Sequence, residues 1–203
     1  MRDTKERILR TALDLFAREG YEAVSVSAIA GALGMTKGAL YRHYESKRDI
    51  FDSILHRMEQ RDAAQAQADG VPEGTAAEMG ERYETTSMEA IVTFSLSMFR
   101  YWTEDPFAAA FRRLLTLEQY RSREMGALYQ QYLASGPLDY VTDLFTALRL
   151  SRPREAAAAF YGPMFLLYSV YDGAEDRGET LTLLKRHLNR FLSDYHEGRL
   201  TQS

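Results

Sequence analysis

The sequence predicts an all-α protein of about nine helices, and two observations support this fold class. Along most of the chain, apolar residues recur every three or four positions, which is the spacing of one helix face. No segment alternates apolar and polar residues in the manner of a half-buried strand. With 203 residues, of which 45% are hydrophobic, the chain is long enough to bury a core, so we expect helices packed on one another.

The first predicted helix covers residues 4 to 19 and ends at Gly20, because glycine commonly follows the last turn of a helix. Its apolar face consists of Ile8, Leu9, Ala12, Leu13 and Phe16. We expect Leu13 and Phe16 to pack beneath the next two helices and to fix the angle at which those helices cross.

Residues 25 to 47 are predicted to form two short helices joined by a tight turn. The apolar positions of the first are Val26, Ile29, Ala30 and Leu33. The pattern breaks at Gly34, and a turn between crossed helices needs a positive φ, which glycine adopts without a steric penalty. Thr36 is suited to cap the second helix, whose inward residues would be Leu40 and Tyr44.

The second short helix is rich in positive charge. Between positions 36 and 48 the chain carries Lys37, Arg42, Lys47 and Arg48 against a single acid, Glu45. Two short crossed helices, of which the second is cationic and aromatic, match what insertion into the major groove of DNA requires. On spacing alone, a solvated charged face of an ordinary helical hairpin is the alternative.

Several residues of this helix have an expected role in such a groove. The end of the helix at Thr36 offers unpaired N–H groups, which should face phosphates or base edges. Gly38 has no side chain, so the backbone can approach a groove wall closely. Lys37 and Lys47 can neutralise phosphates, and Tyr41 offers both a ring and a hydroxyl.

The run from Leu40 to Lys47, Leu-Tyr-Arg-His-Tyr-Glu-Ser-Lys, carries a family resemblance. Over residues 5 to 57 the chain resembles the N-terminal domain of the TetR (tetracycline-repressor-like) family, whose usual run is Leu-Tyr-Tyr/Trp-His-Phe followed shortly by a lysine. Arg42 replaces the usual second aromatic, Tyr44 replaces Phe, and Ser27 stands where a basic residue is common. The resemblance implies that the DNA-binding residues are Ser25, Ser27, Thr36, Lys37, Gly38, Tyr41, His43 and Lys47.

Charge is divided unevenly along the chain. Residues 1–61 hold 11 lysines and arginines against 9 acids, a net of +2, while the remainder holds 14 against 20, a net of −6. The acidic remainder should not lie along DNA. We therefore predict two domains, a helix-turn-helix DNA-binding domain at residues 1–47 and a helical effector-binding and dimerisation domain at residues 48–203.

Other classes of function are disfavoured by what the sequence lacks. The absence of cysteine excludes a disulfide scaffold, a thiolate metal site and a cysteine nucleophile. There is no phosphate-binding glycine loop and no nucleophile elbow, and the four histidines show no metal-ligand spacing. Glu118 and Asp143 are read as solvent-facing acids or as partners of Arg112, Arg113 or Arg121. We expect no catalysis, no metal and no cofactor.

The longest uncharged run, residues 156 to 171, falls short of the roughly 20 residues that span a bilayer. The chain also begins with an amphipathic segment, which does not resemble a signal peptide. We therefore expect a cytoplasmic protein that does not contact a membrane.

Helix boundaries further along are predicted from capping and proline signals. Residues 46 to 49 and 86 to 89 match capping boxes that start helices. Between them, residues 63 to 86 read as a loop or a frayed helix end. Gly136-Pro137 is read as a helix stop, and Pro153 is read as an early residue of a helix.

The aromatic and methionine side chains of the second part have two interpretations. One is plain core packing. The other is a concave effector pocket, in which buried tyrosine hydroxyls find a partner in the ligand and methionine adapts to its shape. Pro163 removes a backbone N–H and should kink its helix, leaving irregular space. The candidate lining residues for an apolar or aromatic effector are Phe94, Met98, Trp102, Phe111, Leu115, Tyr129, Tyr132, Phe160, Met164 and Tyr168.

The run 156–171 is apolar nearly all round, so burial on more than one side is expected. One side can face the pocket and the other a second copy of the chain. Two copies would present two reading helices about 34–36 Å apart, which suits a palindromic site. The resemblance implies the same arrangement, with dimerisation through the last two long helices.

These observations favour a homodimeric, ligand-responsive transcriptional repressor bound to palindromic double-stranded operator DNA. A small apolar or aromatic effector would release it by favouring a dimer whose reading helices are wrongly spaced. The alternative is an effector-independent DNA-binding dimer whose second part only dimerises or recruits a protein partner. A third hypothesis, an all-α enzyme with an incidental helix-turn-helix, rests only on the tyrosines and methionines.

Overall fold

The computed structural model describes residues 2–69 and 87–201, and all regular structure within these two ranges is α-helical, which confirms the predicted fold class. Ten helices are found there, against about nine expected. They are α1 (Arg2–Glu19), α2 (Val26–Ala32), α3 (Lys37–Tyr41), α4 (Lys47–Asp69), α5 (Met88–Glu104), α6 (Pro106–Glu118), α7 (Arg123–Leu133), α8 (Ser135–Ala147), α9 (Pro153–Gly173) and α10 (Arg177–His196). Of the helices described, none combines the length and apolarity needed to cross a membrane.

The helices form two compact units. The first unit consists of Met1–Ala64 with Asp105–Tyr129, and the second consists of Gln65–Glu104 with Gln130–Ser203. The predicted domain boundary after residue 47 stays a prediction, because a unit defined by packing is not the same as a domain that folds or functions alone.

The core of the first unit lies where α1 packs against α6 and α2. Leu13 and Phe16 of α1 are buried at 1% and 0% exposure, as is Ile29 of α2 at 0%. The predicted cap of α4 forms with a difference of one residue. The amide of Asp49 donates to Ser46 Oγ at 3.0 Å, but the Asp49 carboxylate accepts from the amide of Glu45 at 2.9 Å, where a capping box would use Ser46.

The second unit is built around α9, which packs against α8, α10 and α5. Its core is largely aromatic. The rings of Phe145, Phe160 and Phe191 lie within 5.5 Å of one another, centroid to centroid, and Phe99 stacks on Tyr168 at 5.0 Å. Helix α9 is continuous through Pro163.

Two predicted helix ends can be compared with the structure. The helix that was predicted to stop at Gly136-Pro137 ends at Leu133, and the dipeptide lies in the first turn of α8, which begins at Ser135. A proline is tolerated there since the N–H groups of a first turn have no partner in the helix. Helix α4 continues to Asp69, which agrees with the interpretation of the start of residues 63–86 as the end of a helix.

The rest of that predicted loop, and Thr86 of the second capping box, lie outside the described residues. The cap that is described at the start of α5 uses the next residue, since the amide of Ala90 donates to Ser87 Oγ at 3.2 Å.

Candidate DNA-binding site

The turn between α2 and α3 is defined by local hydrogen bonds. Gly34 has φ +66°, its amide donates to Gly31 O at 3.0 Å, and the amide of Met35 donates to Ala30 O at 3.0 Å. This pair of bonds is the Schellman motif, which ends a helix with a residue in the left-handed region. The predicted positive φ at Gly34 is therefore confirmed.

Both short helices begin with a side-chain cap. Ser25 Oγ accepts from the amide of Ala28 at 3.1 Å, and Thr36 Oγ1 accepts from the amide of Ala39 at 3.1 Å, which confirms the cap predicted for Thr36. Each cap satisfies one of the N–H groups at a helix start, and the caps and the Schellman turn are formed by residues within a few positions of one another.

The inward and outward faces of α3 follow the prediction. Leu40 is 0% exposed and Tyr44, just beyond the helix, is 5% exposed. On the opposite side, Tyr41 is 43% exposed and Lys37 and Gly38 are also exposed. Of the eight predicted DNA-binding residues, the exposed ones are Ser25, Ser27, Thr36, Lys37, Gly38 and Tyr41, while His43 and Lys47 are half-buried.

Gly38 is not required by the fold of the chain that the structure describes. A Cβ built at this position would meet no heavy atom within 4 Å, and Gly38 has no positive φ. A glycine that its own structure does not need leaves the backbone open to close approach by another molecule. This is what the predicted contact with a groove wall requires.

Two cations, Lys37 in α3 and Arg42 directly after it, are exposed. Lys37 Nζ lies 5.7 Å from the centroid of the Tyr41 ring, so the two exposed side chains form one cationic and aromatic surface. The side chain of Arg42 is exposed and makes no ion pair within residues 2–69 and 87–201.

The cations at the start of α4 behave differently. Lys47 Nζ donates to the carbonyl oxygens of Tyr21 at 2.8 Å and Glu22 at 3.3 Å. Arg48 forms a bidentate pair with Glu124 of α7, with N···O distances of 2.7 and 2.8 Å, and also binds Asp52 at 2.8 Å. The bonds to Arg48 hold the pKa of the Glu124 carboxyl below its ordinary value.

Tyr44 stands where the TetR pattern has Phe, and its hydroxyl has a use. It donates to the carbonyl of Lys5 in α1 at 3.4 Å, while Lys5 Nζ lies 5.4 Å from the ring centroid. Burial, followed by the nearby charges of Asp49 and Glu6, raises the pKa of Tyr44 to about 12. The hydroxyl thus stays protonated at neutral pH and can donate this bond.

Sequence reasoning missed the residues that hold the segment between α1 and α2. Tyr21 packs its ring against Phe16 and Phe51, at 5.1 Å to each centroid, and its amide donates to Glu118 Oε1 at 3.3 Å. Glu118 is 2% exposed, so of the two readings of this acid the solvent-facing one is wrong, while pairing with a nearby arginine stays a prediction. Gly20 was the sequence signal for this close contact with Glu118, but the prediction used Gly20 only as the end of the first helix.

The predicted effector residues are divided between the two units. Phe111 and Leu115, both 0% exposed, and the half-buried Tyr129 belong to the first unit. The other seven belong to the second, where Trp102 meets Tyr132 at 6.2 Å while Phe160 lies in the separate cluster around Phe145. A pocket lined by the ten residues stays a prediction.

Comparison with known proteins identifies the N-terminal part. Residues 8–54 match the family model described as bacterial regulatory proteins, tetR family. The HTH-type transcriptional regulator AcrR of Shigella flexneri is 42% identical over 57 residues, which are 28% of this chain and 26% of AcrR. The chain thus spans about a quarter of the length of this curated relative.

Solved structures extend the likeness of fold to nearly the whole chain. A transcriptional regulator of the TerR/AcrR family from Aquifex aeolicus VF5 matches with a TM-score of 0.63 at 20% identity, over 92% of this chain and 98% of that one. SmeT, the repressor of the Stenotrophomonas maltophilia multidrug efflux pump SmeDEF, matches with a TM-score of 0.59 at 16% identity, over 93% and 88%.

The fold is therefore that of helix-turn-helix regulators with a large helical second part. Residues 8–54 therefore match the DNA-binding part of the tetR family of bacterial regulatory proteins, and the likeness of the remaining chain to solved structures is one of fold. The relatives and solved structures named here are described as transcriptional regulators or repressors.

Proposed function

We propose that the chain is a homodimeric transcriptional repressor that binds palindromic operator DNA through α3 and is released by a small apolar or aromatic effector. The DNA-binding surface consists of Ser25, Ser27, Thr36, Lys37, Gly38, Tyr41 and His43. Lys47 is the exception among the eight predicted residues, since its ammonium group binds two backbone carbonyls.

The observation that carries the proposal is the outward face of α3. Thr36 caps the helix, Leu40 and Tyr44 attach it to the core, and Lys37, Gly38 and Tyr41 are exposed on the far side. A positive charge, a bare backbone and an aromatic ring at a helix N-terminus are suited to phosphates and base edges in a major groove.

Dimerisation is supported by apolar side chains of the second unit that its own core leaves exposed. Phe165, Leu166 and Val170 of α9 are 39%, 63% and 42% exposed, and Leu183 of α10 is 45% exposed. Burying them against the same surface of a second copy is favourable by about 25 cal/mol per Å². An isologous pair would present two copies of α3 to a two-fold symmetric site.

Repression and release are supported by a structural neighbour and by an aromatic pair of the second unit. SmeT is described as the repressor of an efflux pump, and the likeness of this chain to SmeT is one of fold. Trp102 and Tyr132, in edge-to-face contact at 6.2 Å, are the predicted lining residues of the second unit that lie together. An aromatic or apolar effector would stack against such side chains.

A binding titration tests the DNA-binding proposal. A palindromic duplex is chosen by selection from random sequences or from the promoter of the protein's own gene, and a scrambled duplex serves for non-specific binding. Tyr41→Ala and Lys37→Ala should each lower operator affinity about tenfold, which corresponds to roughly 1.4 kcal/mol. Tyr120, which is 92% exposed in the same unit, provides the matched control Tyr120→Ala.

If both α3 variants bind the operator as tightly as the control does, the assignment of α3 fails. A wild-type protein that prefers no duplex would reject DNA recognition altogether. A protein that binds as a monomer would reject the dimer.

The effector-independent alternative is favoured by one observation, the close packing of the aromatic residues in the second unit. Phe145 and Phe160 are fully buried and Phe99 stacks on Tyr168, as expected of a closely packed core. A thermal-shift screen of aromatic and apolar compounds separates the two. A compound that raises the Tm and lowers operator affinity supports release, whereas a screen without such a compound favours the alternative.

A further inference from the structure

The segment between α1 and α2, residues 20–24, is held by two charged side chains that bind one residue from opposite sides. Glu118 of α6 accepts from the amide of Tyr21 at 3.3 Å, and Lys47 of α4 donates to the carbonyl of the same residue at 2.8 Å. Lys47 also reaches the carbonyl of Glu22 at 3.3 Å. A carboxylate on a backbone N–H and an ammonium on a backbone C=O are both charge-assisted bonds.

The segment sits very close to Glu118. Gly20 has φ +88°, and a Cβ at this position would lie 2.7 Å from Glu118 Oε1, closer than real Cβ atoms approach. Because Glu118 is 2% exposed, its carboxylate depends on partners within the protein, and the amide of Tyr21 is one of them.

The ring of Tyr21 joins this arrangement to the core. It packs between Phe16 of α1 and Phe51 of α4, and Lys47 Nζ lies 4.3 Å from its centroid. Three helices, α1, α4 and α6, therefore meet at one residue of the segment.

Lys47 is accordingly unlike Lys37. An ammonium group has three donors, and the described contacts of Lys47 engage two of them with carbonyl oxygens. In addition, the Glu22 carboxylate lies 3.7 Å from Lys47 Nζ. The side chain is 22% exposed. Turning the ammonium toward a phosphate would leave the carbonyls of Tyr21 and Glu22 without it.

The segment leads directly into α2. Val24 is 1% exposed, and Ser25 caps the helix. Resting on the proposed function, we propose that Lys47 and Glu118 are positioning residues, which hold residues 20–24 and thereby place α2 and the α2–α3 turn for DNA. Lys47 supports operator binding through this segment.

Salt-dependent titrations of four variants separate the two roles of Lys47. The variants are Lys47→Met, Glu118→Ala, Glu118→Gln and Lys37→Met, each measured on the operator and on a scrambled duplex over a series of KCl concentrations. Met keeps an unbranched side chain, one atom shorter than that of Lys, without the charge, Gln keeps an acceptor oxygen, and exposed Lys37 is the matched lysine.

For Lys47→Met and Glu118→Ala we expect operator affinity to fall about tenfold, the loss of one bond to a charged group. Affinity for the scrambled duplex and the dependence on salt should stay unchanged, and Glu118→Gln should restore most of the affinity. Lys37→Met should lower affinity for both duplexes and reduce the salt slope by about one.

The positioning role is overturned if Lys47→Met behaves as Lys37→Met is expected to, or if operator affinity is unaffected by Lys47→Met and Glu118→Ala. An effect confined to the Tm, with affinity unchanged at a temperature where both variants are folded, also overturns it.

A second measurement needs no DNA, so the proposal can fail separately from the proposed function. Amide hydrogen exchange in Lys47→Met and Glu118→Ala should speed up across residues 20–32 and stay as in the wild type across α9. If residues 20–32 exchange at the wild-type rate in both variants, neither side chain holds the segment and the proposal falls. Should Lys47→Met fail to fold, Glu118→Ala and its Gln rescue carry the same test.

Discussion

The cations of α3 and those at the start of α4 are only a few positions apart in sequence, yet they differ in what they are free to bind. Lys37 and Arg42 point outward with few contacts, whereas Lys47 binds two carbonyls and Arg48 binds Glu124 and Asp52. The excess of positive charge in the sequence is therefore larger than the charge that is free to bind DNA. The number of cations in a motif overstates the number that can release counterions.

The largest expected effect is on the free energy of unfolding, and it distinguishes Gly20 from Gly38. Gly20→Ala should lower the free energy of unfolding by about 2–4 kcal/mol, because it combines a positive φ with a contact of 2.7 Å to Glu118 Oε1. Gly38→Ala should leave stability within about 1 kcal/mol of the wild type, since its Cβ meets open space. Urea unfolding of both variants measures the difference.

Gly38 should matter for operator binding in spite of its small effect on stability. A methyl group at Gly38 stands between the backbone and the groove wall, so Gly38→Ala should lose about tenfold in operator affinity, or roughly 1.4 kcal/mol. A Gly38→Ala variant that binds as tightly as the wild type would show that the backbone does not approach DNA there.

An intermediate effect is expected at the two arginines. Arg42→Met should reduce the salt slope of operator binding by about one, because its exposed guanidinium can reach a phosphate. Arg48→Met should leave the slope unchanged and lower stability by less than about 1 kcal/mol, because the ion pair that it removes is half exposed. Equal slopes for the two variants would contradict the division into free and bound cations.

The smallest effect concerns pH. The Glu124 pKa is lowered in the folded state by its bonds to Arg48, so this pair contributes stability that is present above the unfolded pKa of Glu and is lost as pH falls through the folded value. Since the pair is exposed, the contribution should be below about 0.5 kcal/mol. Unfolding of the wild type and of Arg48→Met between about pH 3 and 6 measures it, since the variant should lack this part of the pH dependence.

The features of the site that the sequence predicted are local ones. Gly34 and Thr36 were identified because a Schellman turn and an N-cap involve residues within a few positions of each other. Leu40 and Tyr44 were assigned inward by helical spacing, and both are buried. The all-α fold was predicted for the same reason, since helix periodicity repeats along the chain.

The features that were missed connect distant parts of the chain. The bond from Tyr21 to Glu118 spans 97 positions, and the bond from Lys47 to Tyr21 spans 26. Because the partners are so far apart in the sequence, no local pattern predicts either bond. Gly136-Pro137 was predicted to follow a helix, and the structure places it in the first turn of the next one, because a proline ends one helix and is acceptable in the first turn of another.

The most direct test of the central claim is the reactivity of individual lysines with an acetylating reagent, read by mass spectrometry with and without operator DNA. We expect Lys37 to react readily in the free protein and to be strongly protected by saturating operator. Lys185, exposed on α10, should react alike in both states, and Lys47 should react slowly in both. A Lys37 that reacts equally fast with and without bound operator would contradict the claim that the exposed face of α3 is the surface that enters DNA.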